Sequence, residues 1–141
     1  MALGSPEANL WAVDPFCPYD ETTATGTIRG VMEGDEGLFW ETARFYGYGG
    51  MVHHIKKTSH DAVAELPDKT FDLIFVDGNH SYEIVRRDLE LYWPRLAPYG
   101  IMLIHDYTTR FPGVIQACRE WGVPYSVCSG TSLAYAHKGD G

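Results

Sequence analysis

Positive charge is scarce in this chain. Its 141 residues carry 11 Lys and Arg against 19 Asp and Glu, a formal net charge of −8. General nucleic-acid binding draws on cationic side chains facing phosphates, so that class of partner is not expected. Long apolar runs are absent too. None approaches the length of roughly eighteen residues that a membrane-spanning helix needs. The opening "MALGSPEANL" has neither a basic start nor a long apolar region and does not read as a signal peptide. Cysteine is sparse. Cys17, Cys118 and Cys128 are odd in number, scattered and outside any reactive motif. That pattern predicts reduced, structural thiols in a cytoplasmic setting. There is no internal repeat and no low-complexity segment.

What remains is a globular composition. The hydrophobic fraction is 45%, enough for a real core. The length predicts a single domain over residues 1–141, with loose ends at 1–8 and 138–141. "NLWAVDPF" reads as a short strand ending at Asp14 and stopped by Pro15. Cys17 to Met32, rich in Thr, Gly, Pro and acid, reads as a long loop. Leu38, Phe39, Thr42 and Phe45 recur near helical spacing, so a helix is expected over Asp35 to Tyr46, closed by "GYGG". Met51 to Ile55 is a short strand. Ser59 then reads as the N-cap of a helix reaching about Leu66.

A buried strand follows at Asp72 to Val76. The next helix, Ser81 to Leu96, aligns Val85, Leu89, Tyr92, Trp93 and Leu96 on one face. Ile101 to Ile104 is a second buried strand. Pro112 to Trp121 is a helix with Pro in its first turn. Pro124 to Cys128 and Ser132 to His137 read as two strands joined by "SGT". Strands alternating with helices predict an α/β fold, a Rossmann-like, mostly parallel sheet with helices on both faces and a C-terminal antiparallel hairpin.

Two strand ends draw the eye. "FDLIFVDGNHSY" runs from apolar Leu73–Val76 into Asp77 and His80, and "GIMLIHDY" runs from Ile101–Ile104 into His105 and Asp106. Ligands of open α/β sheets bind beyond the carboxyl ends of the strands. These four residues, with Asp14, all fall there, and the two strand ends predict one shared site. Asp77 suits a hard divalent ion or a proton-accepting role, and its bland role is to hold the turn at Gly78. His80 suits a general base or a ligand, and its bland role is a hydrogen-bonded turn residue. His53 and His54 alternate across a strand and so are expected on opposite faces. Tyr82 and Tyr107 stand beside the site and can line a pocket.

With these residues placed, the chain resembles the class I S-adenosylmethionine-dependent methyltransferases. The similarity is to small-molecule O-methyltransferase-like members in which one strand ends "FVDGxHSY" and the next "HDY". It runs from Phe71 through "L.P.G" to Gly122, with a weaker match at "WAVDPF". The resemblance implies S-adenosylmethionine as cofactor, with Asp14 on its ribose hydroxyls and Ser59 near its adenine. It implies a small-molecule acceptor, with Asp77, His80, His105 and Asp106 as catalytic residues. It also implies Mg²⁺ or another divalent metal on Asp77, His105 and Asp106, although His-Asp stands here where the metal-dependent members carry Asp-Asn. One family feature is missing: the strand ending in a glycine-rich turn that cradles the methionine end. "EGDEG" and "GYGG" follow no buried strand and read as loop and cap glycines. The chain therefore resembles a member truncated at its N-terminus. The absent strand belongs between those ending at Asp14 and Asp77, which leaves a gap, a changed strand order or a strand supplied by another chain, and predicts association into a homodimer. Two other classes stay open: a non-catalytic binding or assembly module of the same fold, and a metal-dependent hydrolase.

Overall fold

The computed structural model describes residues 8–29, 34–68 and 71–140. Its strands are β1 (Leu10–Val13), β2 (Asp20–Thr23), β3 (Gly26–Arg29), β4 (Val52–Ile55), β5 (Phe71–Val76), β6 (Leu96–Ile104), β7 (Ser126–Val127) and β8 (Ala134–His137). Its α-helices are α1 (Asp35–Phe45), α2 (Ser59–Ala62), α3 (Tyr82–Tyr92) and α4 (Pro112–Glu120). β1 pairs with β4, and β5 with β6, both in parallel. β8 adds antiparallel to β6, and β7 to β8. This is the expected Rossmann-like α/β arrangement with an antiparallel C-terminal pair.

The core lies between α3, α4 and the β5–β6–β8 sheet. Leu89, Leu96, Met102, Ile104, Val114 and Cys118 are its large, fully buried side chains. α3 presents Val85, Leu89 and Tyr92 to this core at helical spacing, as its sequence periodicity requires. Met102 and Ile104 alternate on one face of β6 and meet them.

Four local readings change. The segment read as a loop over Cys17–Met32 contains the antiparallel hairpin β2–β3. Its Thr residues are β-branched and favour strands, a preference that the Gly, Pro and acid around them obscured. Gly26, at φ 143°, makes the turn, and Thr23 Oγ1 donates to its carbonyl at 2.9 Å. The N-cap of α2 is Thr58 rather than Ser59: Thr58 Oγ1 accepts the Asp61 N–H at 3.3 Å. α3 stops at Tyr92, a single 3₁₀ turn covers Trp93–Arg95, and β6 already begins at Leu96. The chain end read as loose is tied at Lys138 and Gly139. Lys138 N–H donates to Gly100 O at 3.0 Å, and Tyr99 N–H to Gly139 O at 3.3 Å. Residues 1–7 and 141 lie outside the described residues.

The sheet divides between β1 and β5, one of the outcomes that the sequence left open. Among the described residues β1 and β5 each pair along one edge only, and the two are not hydrogen-bonded to each other. Trp11 of β1 and Phe71 of β5 approach edge to face, with ring centroids 6.4 Å apart. β5 is not buried on both faces as its apolar run suggested. Ile74 and Val76 pack on the core, while Leu73 and Phe75 on the opposite face are 44% and 51% exposed.

Candidate functional site

The ends of β5 and β6 stay in register to the last residue, since His105 N–H donates to Val76 O at 3.0 Å. That bond sets Asp77 beside His105. His105 Nδ1 lies 3.2 Å from Asp77 Oδ1 and 3.0 Å from Asp106 Oδ2. His80 Nε2 approaches the same Asp106 oxygen to 2.8 Å. The four residues singled out at the two strand ends thus form one cluster around Asp106. Asp106 itself holds φ 55°, a left-handed conformation that is costly for most non-glycine residues and mildest for Asp and Asn. Such strain persists only where the surrounding structure enforces it.

Three elements hold His80. Its ring stacks on Phe111, with centroids 4.1 Å apart and planes 25° from parallel. The N-terminus of α4 packs on the His80 segment backbone to backbone. A Cβ on Gly113 would sit 2.7 Å from His80 O and Tyr82 N, so only glycine fits. The third element is the β2–β3 hairpin. Glu21 of β2, 4% exposed, accepts the His80 backbone N–H at 2.6 Å and its Nδ1 at 2.7 Å. Ala24 N–H donates to Arg110 O at 2.9 Å and ties the hairpin tip to the same neighbourhood. Glu21 was not among the residues singled out from sequence. Its signal was alternation: on a strand, Glu21 and Thr23 face one side together, and both are buried.

Tyr19, in the segment leading into β2, has its phenol pushed up to about 12. Burial is the main cause, followed by the negative charges of Glu21, Asp14 and Asp77. It remains a protonated donor at neutral pH, within electrostatic reach of acids from both halves of the sheet.

Asp77, His80 and Asp106 each offer one ligand atom, all within 4.8 Å of one another. His80 Nε2 and His105 Nδ1 are buried without a hydrogen-bond partner, although carboxylate oxygens lie close by. Two carboxylates and one imidazole this close together match the donor types of a divalent-cation site. The set nearest to a ligand group includes His80, where the sequence pointed to His105 beside the two acids.

Asp14 ends β1 outside this cluster. Its Oδ1 accepts the Phe16 N–H at 2.7 Å, and Phe16 takes φ 48° to make the turn. His54 Nε2 contacts Asp14 O at 3.0 Å, while His53 stacks on Trp11, so the two histidines do face apart. The Ser59 hydroxyl donates to Asp88 at 2.5 Å and joins α2 to α3. Tyr107 and Tyr125 share a hydroxyl contact of 3.0 Å, and the Tyr82 hydroxyl donates to Glu120 at 2.5 Å on the surface.

Comparison with known proteins gives this geometry a setting. A 137-residue match to the uncharacterized protein y4gI of Sinorhizobium fredii is 37% identical and covers 97% of this chain, but 14% of that protein. The O-methyltransferase NovP superposes with a TM-score of 0.70 at 16% identity, over 98% of this chain and 63% of that one. The O-methyltransferase TomG from Streptomyces achromogenes, solved with S-adenosylmethionine, gives 0.60 at 12% identity, over 96% and 64%. At those identities the likeness is one of fold. The chain spans less than half the length of the curated relatives it matches and under two thirds of these structures. The model of the family described as "Methyltransferase domain" matches residues 2–107, three quarters of the sequence and both β5 and β6 with their polar ends, and the chain belongs to that family.

Proposed function

We propose that this domain transfers a methyl group from S-adenosylmethionine to a hydroxyl of a small molecule. The observation that carries the reading is the meeting of Asp77, His80, His105 and Asp106 at the carboxyl ends of two parallel strands. Sheets of this kind take their ligands there. The O-methyltransferases of similar fold, one of them solved with S-adenosylmethionine, support the same chemistry.

When bound, S-adenosylmethionine supplies an electrophilic methyl group on a sulfonium. Asp14, whose Oδ2 is not used by the Phe16 turn, would hold the ribose hydroxyls, and Ser59 would stand beside the adenine. His80 would take the proton that the acceptor hydroxyl loses as its oxygen receives the methyl group. Asp77 and Asp106, the two acids common to the sequence reading and to the set nearest a ligand group, would hold a divalent cation, whose chemistry is to orient that hydroxyl and lower its pKa. Most of the rate comes from holding donor and acceptor in line.

Calorimetric titration with S-adenosylmethionine and S-adenosylhomocysteine tests the reading. We expect binding weaker than about 1 μM, because no glycine-rich turn among the described residues cradles the methionine end. We also expect Asp14→Ala to abolish it. No heat at millimolar ligand, or binding indifferent to Asp14→Ala, would sink the proposal.

A second reading, a binding or assembly module, is favoured by the edges of β1 and β5 that have no strand partner among the described residues and by exposed Leu73 and Phe75 beside one of them. Unpaired strand edges and bare apolar faces are costly, and a twofold copy is the commonest cover. Light scattering should give a mass near twice the 15.8 kDa of one chain, falling on dilution. A mass of one chain at every concentration rules the dimer out.

A further inference from the structure

We infer that the outer face of the β5–β6–β8 sheet seats helix α1 of a second copy of this chain, and that two copies exchange this helix reciprocally about a twofold axis. The inference deepens the assembly reading and rests on it: it names the surface and the element that covers it.

Strand alternation makes the floor of the seat. Met102, Ile104, Ala134 and Ala136 point into the core and are buried. Their neighbours point the other way. Leu73, Ile101 and His137 line up across the three strands as one rung, and Phe75, Leu103 and Tyr135 as the next. Among the described residues none of these six joins the core. Leu73, Phe75 and His137 are exposed, and the other three are half-buried. A parallel pair such as β5–β6 is ordinarily covered on both faces.

Helix α1 is the matching part. Val13 and Ile55, partners in the β1–β4 pair, pack on the core, so Ala12 and His54 face away from it. α1 lies on that side, with the Phe39 and Trp40 rings each 5.9 Å from the His54 ring. It therefore stands on the same side of the molecule as the bare floor. Its outward flank carries Leu38, Thr42, Phe45 and Tyr46 at helical spacing. The three large ones are 62%, 83% and 63% exposed.

Each copy thus has a floor without a helix and a helix with an uncovered apolar stripe. One twofold axis satisfies both at once. The sizes agree: three strands spaced about 4.8 Å apart make a floor about 10 Å wide, and a helix with its side chains is about 10–12 Å across. No Asp, Glu, Lys or Arg interrupts the floor or the stripe, as the centre of an interface requires in a chain of net charge −8. At about 200 Å² for a whole aromatic side chain, the exposed parts of Leu38, Phe45, Tyr46, Leu73 and Phe75 sum to roughly 600 Å². A stable interface takes about 800 Å² from each partner, so these five side chains supply most of it. The floor runs up to the polar cluster, since Phe75 meets the His105 ring edge-on at 5.8 Å, and the seated helix borders the site.

Sedimentation of the unaltered chain should show a dimer at micromolar concentration. Leu103→Lys and Phe45→Lys should each weaken association roughly 30-fold or more. Leu103 lies on β6, which is paired along both edges, so its substitution does not touch a dimer joined through the edges of β1 and β5. Near-UV circular dichroism checks that each variant is folded, and Tyr135→Lys, on the same floor, replaces Leu103→Lys if that variant is not. A dimer that survives the floor variant or Phe45→Lys overturns the inference and leaves the assembly reading standing. One chain at every concentration overturns both.

Discussion

Replacing Lys138 by Met tests how the start of β6 is anchored, and β6 is the strand that carries His105 and Asp106 to the site. Lys138 Nζ donates to Leu96 O at 2.6 Å, Trp93 O at 3.2 Å and Pro94 O at 3.4 Å, and it lies 6.0 Å from the Trp93 ring centroid. These carbonyls end α3 and the 3₁₀ turn after it, where helical carbonyls run out of backbone donors. A cation there gains hydrogen bonds and the favourable end of the helix dipole. Charge-assisted hydrogen bonds contribute about 1.5–3 kcal/mol in net terms, and the dipole adds about 0.3–1 kcal/mol. The site is partly exposed, so water recovers some of this when the charge goes. Met keeps the apolar stem, and the Lys138 backbone bond to Gly100 survives the change. We expect a loss of about 2 kcal/mol. In urea, with a slope of about 2 kcal/mol/M for a chain of this size, the midpoint should fall by about 1 M. A midpoint change under about 0.25 M, at unchanged slope, would show that the three carbonyls are satisfied without the ammonium and would refute the anchoring argument.

Other expectations follow from single features. Asp88 is buried beside Ser59, His60, Arg87 and Tyr92, and burial, the largest influence, raises its pKa above the ordinary carboxylate value. A carboxyl whose folded pKa is raised adds stability below its unfolded pKa and loses it as pH climbs through the folded value. Asp88→Asn should therefore flatten that part of the stability profile and be the more stable form above it, as denaturation at several pH values will reveal. Burial pushes the Cys118 thiol up to about 11. At pH 8 about one part in a thousand is thiolate, so a thiol reagent should label exposed Cys17 at once and Cys118 only after unfolding. Gly113→Ala forces a Cβ against the His80 backbone and should cost about 1–3 kcal/mol. A variant as stable as the parent would show that α4 can retreat freely.

Much of this protein was legible before folding. Periodicity located α1 and α3, because a helix that must bury one face writes that face into its sequence every three to four residues, and a Pro in the first turn marked α4. Apolar runs broken by Asp77, His80, His105 and Asp106 marked β5, β6 and their polar ends, because carboxylates and imidazoles seldom tolerate the inside of a sheet. That the two ends would meet followed from parallel pairing. Other facts had no local trace. Glu21 lies 59 positions from His80, and only the hairpin's return across the molecule brings them together. Ser59 read as an N-cap because a hydroxyl before a helix usually is one, yet α3 offers it Asp88 and the adjacent Thr58 takes the cap. Leu73 and Phe75 have the composition of buried residues, and their exposure depends on what lies across the sheet, which a strand's own residues cannot specify. Local sequence dictates which face is apolar and where a strand must stop. Only the tertiary structure decides which distant group meets each polar end, because that contact depends on the path of the whole chain.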